Sequence, residues 1–109
     1  MSDPSQPETI GQKQRRFSLM LAKLIAYAYH LGYEISMGDV WAKTGHRGGS
    51  MHYIRLAADL NLFKDSVYLS GEAAASGHNM LHNYWDTIGG SDRIPGDLNH
   101  YSIEHNGVR

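Results

Sequence analysis

Two histidines and two aspartates in this chain have spacings that could hold a metal ion and use it. His52 follows a glycine-rich stretch, and Asp59 lies seven residues later inside the apolar run LAADLNLF. A carboxylate in such a run is costly to bury unless a metal ion, an Arg or a Lys compensates its charge. His100 is a third candidate ligand, and Asp97 lies three residues before it. In an extended or turning segment, that spacing brings a free carboxylate close to the ligand set.

The residue types favour zinc hydrolysis. Two imidazoles and one carboxylate suit a catalytic zinc, which keeps a fourth position for water and lowers its pKa from about 15.7 to about 7. Asp97 would take the water proton and return it to the leaving amine. On spacing alone the signal is moderate, since a single His or Asp is more often structural than a ligand. Ser50 has the same two interpretations, a contact in the site or a hydrogen bond to the loop backbone.

Composition narrows the classes of function. The chain has 109 residues, 41% hydrophobic and 19% charged, which favours one soluble globular domain. The formal net charge of -1 predicts neither nucleic-acid binding nor attraction to an anionic membrane. With no cysteine, disulfides, thiolate metal sites and thiol nucleophiles are excluded. Residues 1–9 are predicted to be a flexible tail without the features of a signal peptide, and residues 10–109 a single domain.

The elements that must position these residues follow from periodicity and turn signals. Apolar residues at helical spacing, preceded by a capping box at Thr9 and Gln12, predict a first helix. The predicted elements are a helix over 10–31, a strand over 33–41, a loop over 42–51, a hairpin over 54–69, a flexible segment over 70–77, a second helix over 80–88 and a strand over 99–103. This order predicts an α+β fold with a small antiparallel sheet flanked by helices.

The candidate ligands also form two family motifs. The chain resembles the zinc D-alanyl-D-alanine carboxypeptidases and L-alanyl-D-glutamate endopeptidases, the LAS-type peptidoglycan peptidases that include many phage endolysins. The LAADLNLF run and an aromatic Tyr84-Trp85 pair before the last motif are similar to the family as well. The resemblance covers residues 12–104. The matched motif positions are Ser50, His52, Ala57 and Asp59 in Ser-x-His…Ala-x-Asp, and Asp97 and His100 in acidic-x-x-His.

The resemblance implies the LAS peptidase fold and one Zn²⁺ bound by His52, Asp59 and His100, with Asp97 as acid and base. It implies hydrolysis of the peptidoglycan stem peptide, at either an L-Ala-D-Glu or a D-Ala-D-Ala bond, by a phage or prophage lysis enzyme. Such an enzyme is made in the cytoplasm without a signal peptide and acts on the wall after release. No nucleic acid, membrane or obligate protein partner is expected.

One departure from the family keeps a second function open. Many members carry an Arg after the second strand to stabilise the developing oxyanion, whereas this stretch reads VWAK. Lys43, Arg47 or Arg55 could supply the charge, although Lys lacks the planar fork of Arg. The alternative is a non-catalytic peptidoglycan-binding or structural phage protein that retains the metal site.

Several aromatic residues and histidines have two interpretations each. Trp41 and Trp85 could line a substrate groove, with core packing the alternative for Trp85. His78 and His82 are four residues apart and could chelate a metal, but we expect them to be exposed on the second helix. His105 is expected at the surface.

Overall fold

The described residues, 7–38 and 55–105 of the computed structural model, form two helices and a four-stranded antiparallel sheet. This architecture confirms the predicted α+β class. Neither described helix is long and apolar enough to cross a membrane. The elements are α1 (Ile10–His30), β1 (Glu34–Met37), β2 (Ala57–Lys64), β3 (Val67–Tyr68), α2 (Gly71–Thr87) and β4 (His100–Ser102).

Helix α1 begins at the predicted capping box. The Gln12 amide donates to Thr9 Oγ1 (3.1 Å), and the Thr9 amide donates to Gln12 Oε1 (2.8 Å). Glu8, assigned to the tail from sequence, forms an ion pair with Arg16 at 2.9 Å, so it contacts the helix. The helix ends at His30, two residues before Gly32, whose φ of 95° suits glycine. The buried face of α1 consists of Phe17, Met20, Leu21, Leu24 and Ala28.

The predicted hairpin consists of β2 and β3. Lys64 pairs with Val67, which leaves a two-residue loop of Asp65 and Ser66. Both loop residues have positive φ, 51° and 65°, as a type I′ turn requires. The Ser66 amide also donates to Glu34 Oε1 (2.8 Å), which ties the turn to β1.

Strand β2 is the centre of the sheet. One edge pairs with β1, and the other is shared by β4 near the start of β2 and β3 near its end. Ala58, Leu60 and Leu62 point towards the helices and are fully buried or nearly so. The alternate residues Asp59 and Asn61 therefore lie on the opposite face, where they are partly exposed.

Helix α2 corrects the prediction of a flexible segment over 70–77. The helix begins at Gly71, so the small residues form its first two turns. Its Ala-Ala-Ala run has the highest intrinsic helix propensity. Gly77 lies so near β2 that an added Cβ would come within 2.8 Å of Leu62 Cδ1, so this small residue permits close packing. The predicted end at Gly89-Gly90 is confirmed, since α2 ends at Thr87.

The remaining predicted elements are confirmed over the described residues. The first strand covers Glu34–Met37, and the last covers His100–Ser102. Residues 1–6, 39–54 and 106–109 lie outside the described part of the chain, and the whole of the predicted loop at 42–51 is among them.

Candidate metal centre

Asp59 and His100 are direct neighbours across β2 and β4. The Asp59 carbonyl accepts a hydrogen bond from the Gly38 amide (2.8 Å), so the backbone of Asp59 faces β1. Towards β4, Asp59 and His100 must therefore form a pair without backbone hydrogen bonds. Such pairs hold their Cα atoms about 4.5 Å apart and bring the side chains close on one face of the sheet.

The facing atoms of this pair have the separation of two zinc ligands. His100 Nδ1 lies 3.5 Å from Asp59 Oδ1, and the two side chains are 8% and 24% exposed. Ligand atoms bound to tetrahedral zinc at about 2.0–2.2 Å lie roughly 3.4 Å from each other. The separation is compatible with two ligands of one metal ion, and Asp59 is the more exposed member of the pair.

Asp97 reaches this region through two successive turns. Its amide donates to the Ile94 carbonyl (2.9 Å), and Gly96 has a φ of 80°, which with Pro95 makes a type II turn. The His100 amide then donates to the Asp97 carbonyl (3.1 Å). The predicted turning segment is present, and the Asp97 side chain is exposed.

Arg93 anchors the segment that carries Asp97 to helix α2. Its guanidinium donates to Asn79 Oδ1 (2.9 Å), Asn83 Oδ1 (2.8 Å) and Asp86 Oδ2 (3.2 Å). His82 adds a second attachment, since its Nε2 donates to the Leu98 carbonyl (2.8 Å). The turns before His100 are therefore fixed at both ends.

The expectation that His78 and His82 are exposed is wrong. His78 is 5% exposed and His82 is fully buried, because both share the inner face of α2 with Leu81 and Trp85. The His82 ring stacks on Tyr101 with ring centroids 4.2 Å apart. A search for apolar residues alone does not predict that these histidines are buried. The signal in the sequence was their spacing of four residues, which places them on the same helix face as the apolar residues.

Burial keeps these imidazoles neutral. Desolvation, with a smaller contribution from His82, lowers the pKa of His78 to about 4. Desolvation also lowers the pKa of His82, although the hydrogen bond to Leu98 opposes this shift. Burial raises the pKa of the Tyr101 hydroxyl, so this group stays protonated.

Acid is expected to destabilise the fold through His78. His78 has a pKa of about 6.5 in the unfolded chain and about 4 in the folded chain. Between these values the unfolded chain binds a proton that the folded chain does not bind, so the free energy of unfolding falls as pH drops from about 6.5 to about 4. The loss for this group is on the order of 2–3 kcal/mol. Urea titrations across this range should give a shallower pH dependence for His78→Gln than for the exposed-site control His30→Gln. Equal slopes in the two variants would contradict the assignment.

Trp85 and Arg55 differ in their relation to the candidate ligands. Trp85 is fully buried between Phe17 and Tyr101, and its Nε1 donates to the Ser102 carbonyl (2.9 Å), so it packs in the core and presents no surface to a substrate. Arg55 is exposed and lies outside β2, four residues before Asp59, so the chain length sets an upper limit of about 14 Å between their Cα atoms.

His105 is half-buried rather than a fully exposed surface residue. Its Nδ1 lies 3.0 Å from Lys13 Nζ, so the end of the described chain contacts helix α1.

The remaining predicted site residues, Trp41, Lys43, Ser50 and His52, lie outside the described residues. Within 7–38 and 55–105, no three His, Asp or Glu side chains form a metal-binding group, and the predicted set depends on His52. Comparison with protein-family models, curated proteins and solved structures finds no significant match to the chain.

Proposed function

We propose that this chain is a zinc metallopeptidase of the LAS type that hydrolyses a peptide bond in the peptidoglycan stem. His52, Asp59 and His100 would bind one Zn²⁺, with Asp97 as the acid and base. The observation that carries the proposal is the Asp59–His100 pair, whose facing atoms are 3.5 Å apart. That separation fits two ligands of one tetrahedral ion. The biological setting that fits best is a phage or prophage lysis enzyme.

Chain length permits His52 to join the pair. His52 lies three positions before Arg55, and an extended chain of that length spans up to about 10 Å. Arg55 is four positions before Asp59, so their Cα atoms are at most about 14 Å apart. At the other end of the same segment, Gly38 is hydrogen-bonded to Asp59 itself. Both attachment points are therefore compatible with a third ligand that approaches Asp59 and His100.

The side chains divide the chemistry between binding and proton transfer. A bound zinc would polarise the scissile carbonyl and acidify water. Asp97 accepts the proton that water loses on attack and delivers it to the amine that leaves, so the carboxylate ends as it began. Its exposed position on two tight turns suits this role, because the carboxylate can reach a substrate without losing its attachment to His100.

The family's oxyanion-stabilising Arg has no assigned counterpart in this chain, and this favours the alternative function. Arg55 lies outside β2, four residues before Asp59. Arg93, which is not among the sequence-predicted candidates for this role, donates hydrogen bonds to side chains of α2. Lys43 and Arg47 lie outside the described residues. A peptidoglycan-binding or structural phage protein that retains the metal site would need no such cation.

Zinc binding tests the ligand set. Chelator-treated protein is expected to bind one zinc per chain in calorimetry, and His100→Ala should weaken binding by about 100-fold or more. His30→Ala, at the exposed end of α1, is the matched control and should bind as the wild type does. Equal affinities in the two variants would reject His100 as a ligand.

Hydrolysis tests the function. Wild-type protein with zinc is incubated with purified peptidoglycan, and the released fragments are identified by mass spectrometry. New amino termini at D-Glu, or released D-Ala, would identify the bond that is cut. One zinc bound without any released fragment would favour the non-catalytic alternative.

A further inference from the structure

A cavity of about 500 Å³ lies beside the first half of helix α1, next to Arg55, which comes two residues before β2. Its volume is within the range of small-ligand sites. Apart from Arg55, the described residues that line it all belong to α1. None of them is a candidate zinc ligand or the candidate base, so the cavity is separate from the candidate metal centre.

The buried part of the lining is apolar. Phe17 and Leu21 are 3% and 6% exposed, so they line the cavity from the core. Gly11 keeps the space open, because the nearest described side-chain atoms to an added Cβ would be Arg15 Nη1 at 3.5 Å and Thr9 Oγ1 at 4.0 Å. An apolar group that enters the cavity would leave water for contact with hydrocarbon, which is favourable.

The exposed part of the lining is positively charged. Arg15 and Arg55 are both exposed, and no Asp or Glu is among the described lining residues. The Arg15 guanidinium bends back towards Gly11, as the distance of 3.5 Å from Nη1 to an added Cβ shows. Over residues 7–38 and 55–105, this guanidinium has no hydrogen bond or ion pair, so its N–H groups can bind an anion.

The charges of the two helices differ in sign. Helix α1 contains four Lys or Arg residues and no Asp or Glu, whereas α2 contains one Glu, one Asp and no Lys or Arg. Glu8 compensates the charge of Arg16 through an ion pair at 2.9 Å. The surroundings of the cavity therefore attract anions, although the net charge of the whole chain is -1.

The polar groups of the lining fit a carboxylate better than a phosphate. A guanidinium can bind both oxygens of a carboxylate through two parallel N–H groups. A phosphate group has three acceptor oxygens and a second charge, so it needs more donors. The Ser18 hydroxyl cannot supply one, because it donates to the Arg15 carbonyl (2.9 Å).

We propose that this cavity binds a small organic carboxylate that carries an apolar group. The carboxylate binds the Arg15 guanidinium, and the apolar group packs against Phe17 and Leu21. Arg55 adds a second positive charge, which is a different role from the oxyanion stabilisation considered for it above. The site uses no metal ligand, so the proposal stands or falls separately from zinc binding and hydrolysis.

The experiment is a titration of the whole chain with 3-phenylpropionate, followed by amide NMR. A probe of this size is expected to bind with a millimolar Kd and to shift the Gly11 and Ser18 amide resonances. Arg15→Gln removes the proposed anchor and should weaken binding by about tenfold or more. Lys23→Gln removes the same charge from another exposed position of α1, which does not line the cavity, and should leave the affinity unchanged.

Three further probes separate the carboxylate with an apolar group from other ligands. 3-Phenylpropanamide has the same apolar group without the charge, acetate has the carboxylate without the apolar group, and inorganic phosphate is an anion of the other class. Weaker binding of all three than of 3-phenylpropionate supports the proposal. Equal or stronger binding of any of them, no shift at Gly11 and Ser18, or equal affinities for Arg15→Gln and Lys23→Gln would overturn it.

Discussion

Replacing Asp97 by Asn is expected to reduce hydrolysis of purified peptidoglycan by about 10²- to 10⁴-fold, because the amide cannot accept the proton that water loses. The effect should appear in kcat rather than in KM, since the carboxylate acts in proton transfer and not in uniform substrate binding. Zinc affinity should stay within about twofold of the wild type, because the proposed ligands are unchanged.

Asp65→Asn is the matched control for this variant. It removes the same charge from another exposed turn, and Asn tolerates the positive φ of 51° at that position. Release of fragments is measured for both variants under identical zinc loading. If Asp97→Asn keeps the rate of Asp65→Asn, another residue is the base.

Replacing Gly90 by Ala is expected to lower the free energy of unfolding by about 3 kcal/mol, and Tm by roughly 15 °C. An added Cβ at Gly90 would overlap Cδ1 and Nε1 of Trp85. That indole cannot move aside easily, because it is fully buried, packs edge-on against Tyr101 and donates to the Ser102 carbonyl. The clash therefore has to be relieved by the backbone that leads towards Asp97.

Gly11→Ala is the control for the glycine change. Gly11 lies in α1, and the nearest atom to an added Cβ is the flexible end of Arg15 at 3.5 Å. This substitution should leave stability unchanged or raise it by about 0.5–1 kcal/mol, since Ala is the better helix former. Thermal unfolding of the two variants separates the steric effect from a general effect of losing a glycine. Equal Tm values would show that Trp85 accommodates the methyl group.

Local patterns in the sequence were sufficient for most of the secondary structure. The capping box at Thr9 fixes the start of α1, and the two-residue turn at Asp65 and Ser66 fixes the hairpin, because each depends on residues only a few positions apart. The first turns of α2 were missed, since a run of small residues carries helix propensity but no apolar stripe.

The candidate site depended more on family motifs than on local pattern. Asp59 and His100 become neighbours only through the register of β2 and β4, which spacing within one segment cannot give. The burial of His78 and His82 was missed for a different reason. A neutral imidazole packs like an aromatic ring when a partner such as Tyr101 is available, and that partner lies on another element.

If the proposed zinc site forms, the shortness of β4 has a consequence for the stability of the metal-free protein. Its three residues hold the end of the described chain to the sheet, and His100 comes 41 positions after its neighbour Asp59. An ion bound by both side chains would hold β4 against β2, so the free energy of metal binding would add to the free energy of folding. Without bound metal, β4 would detach from the sheet more often and be cleaved by proteases. The zinc concentration in the cell would then affect how much intact protein accumulates.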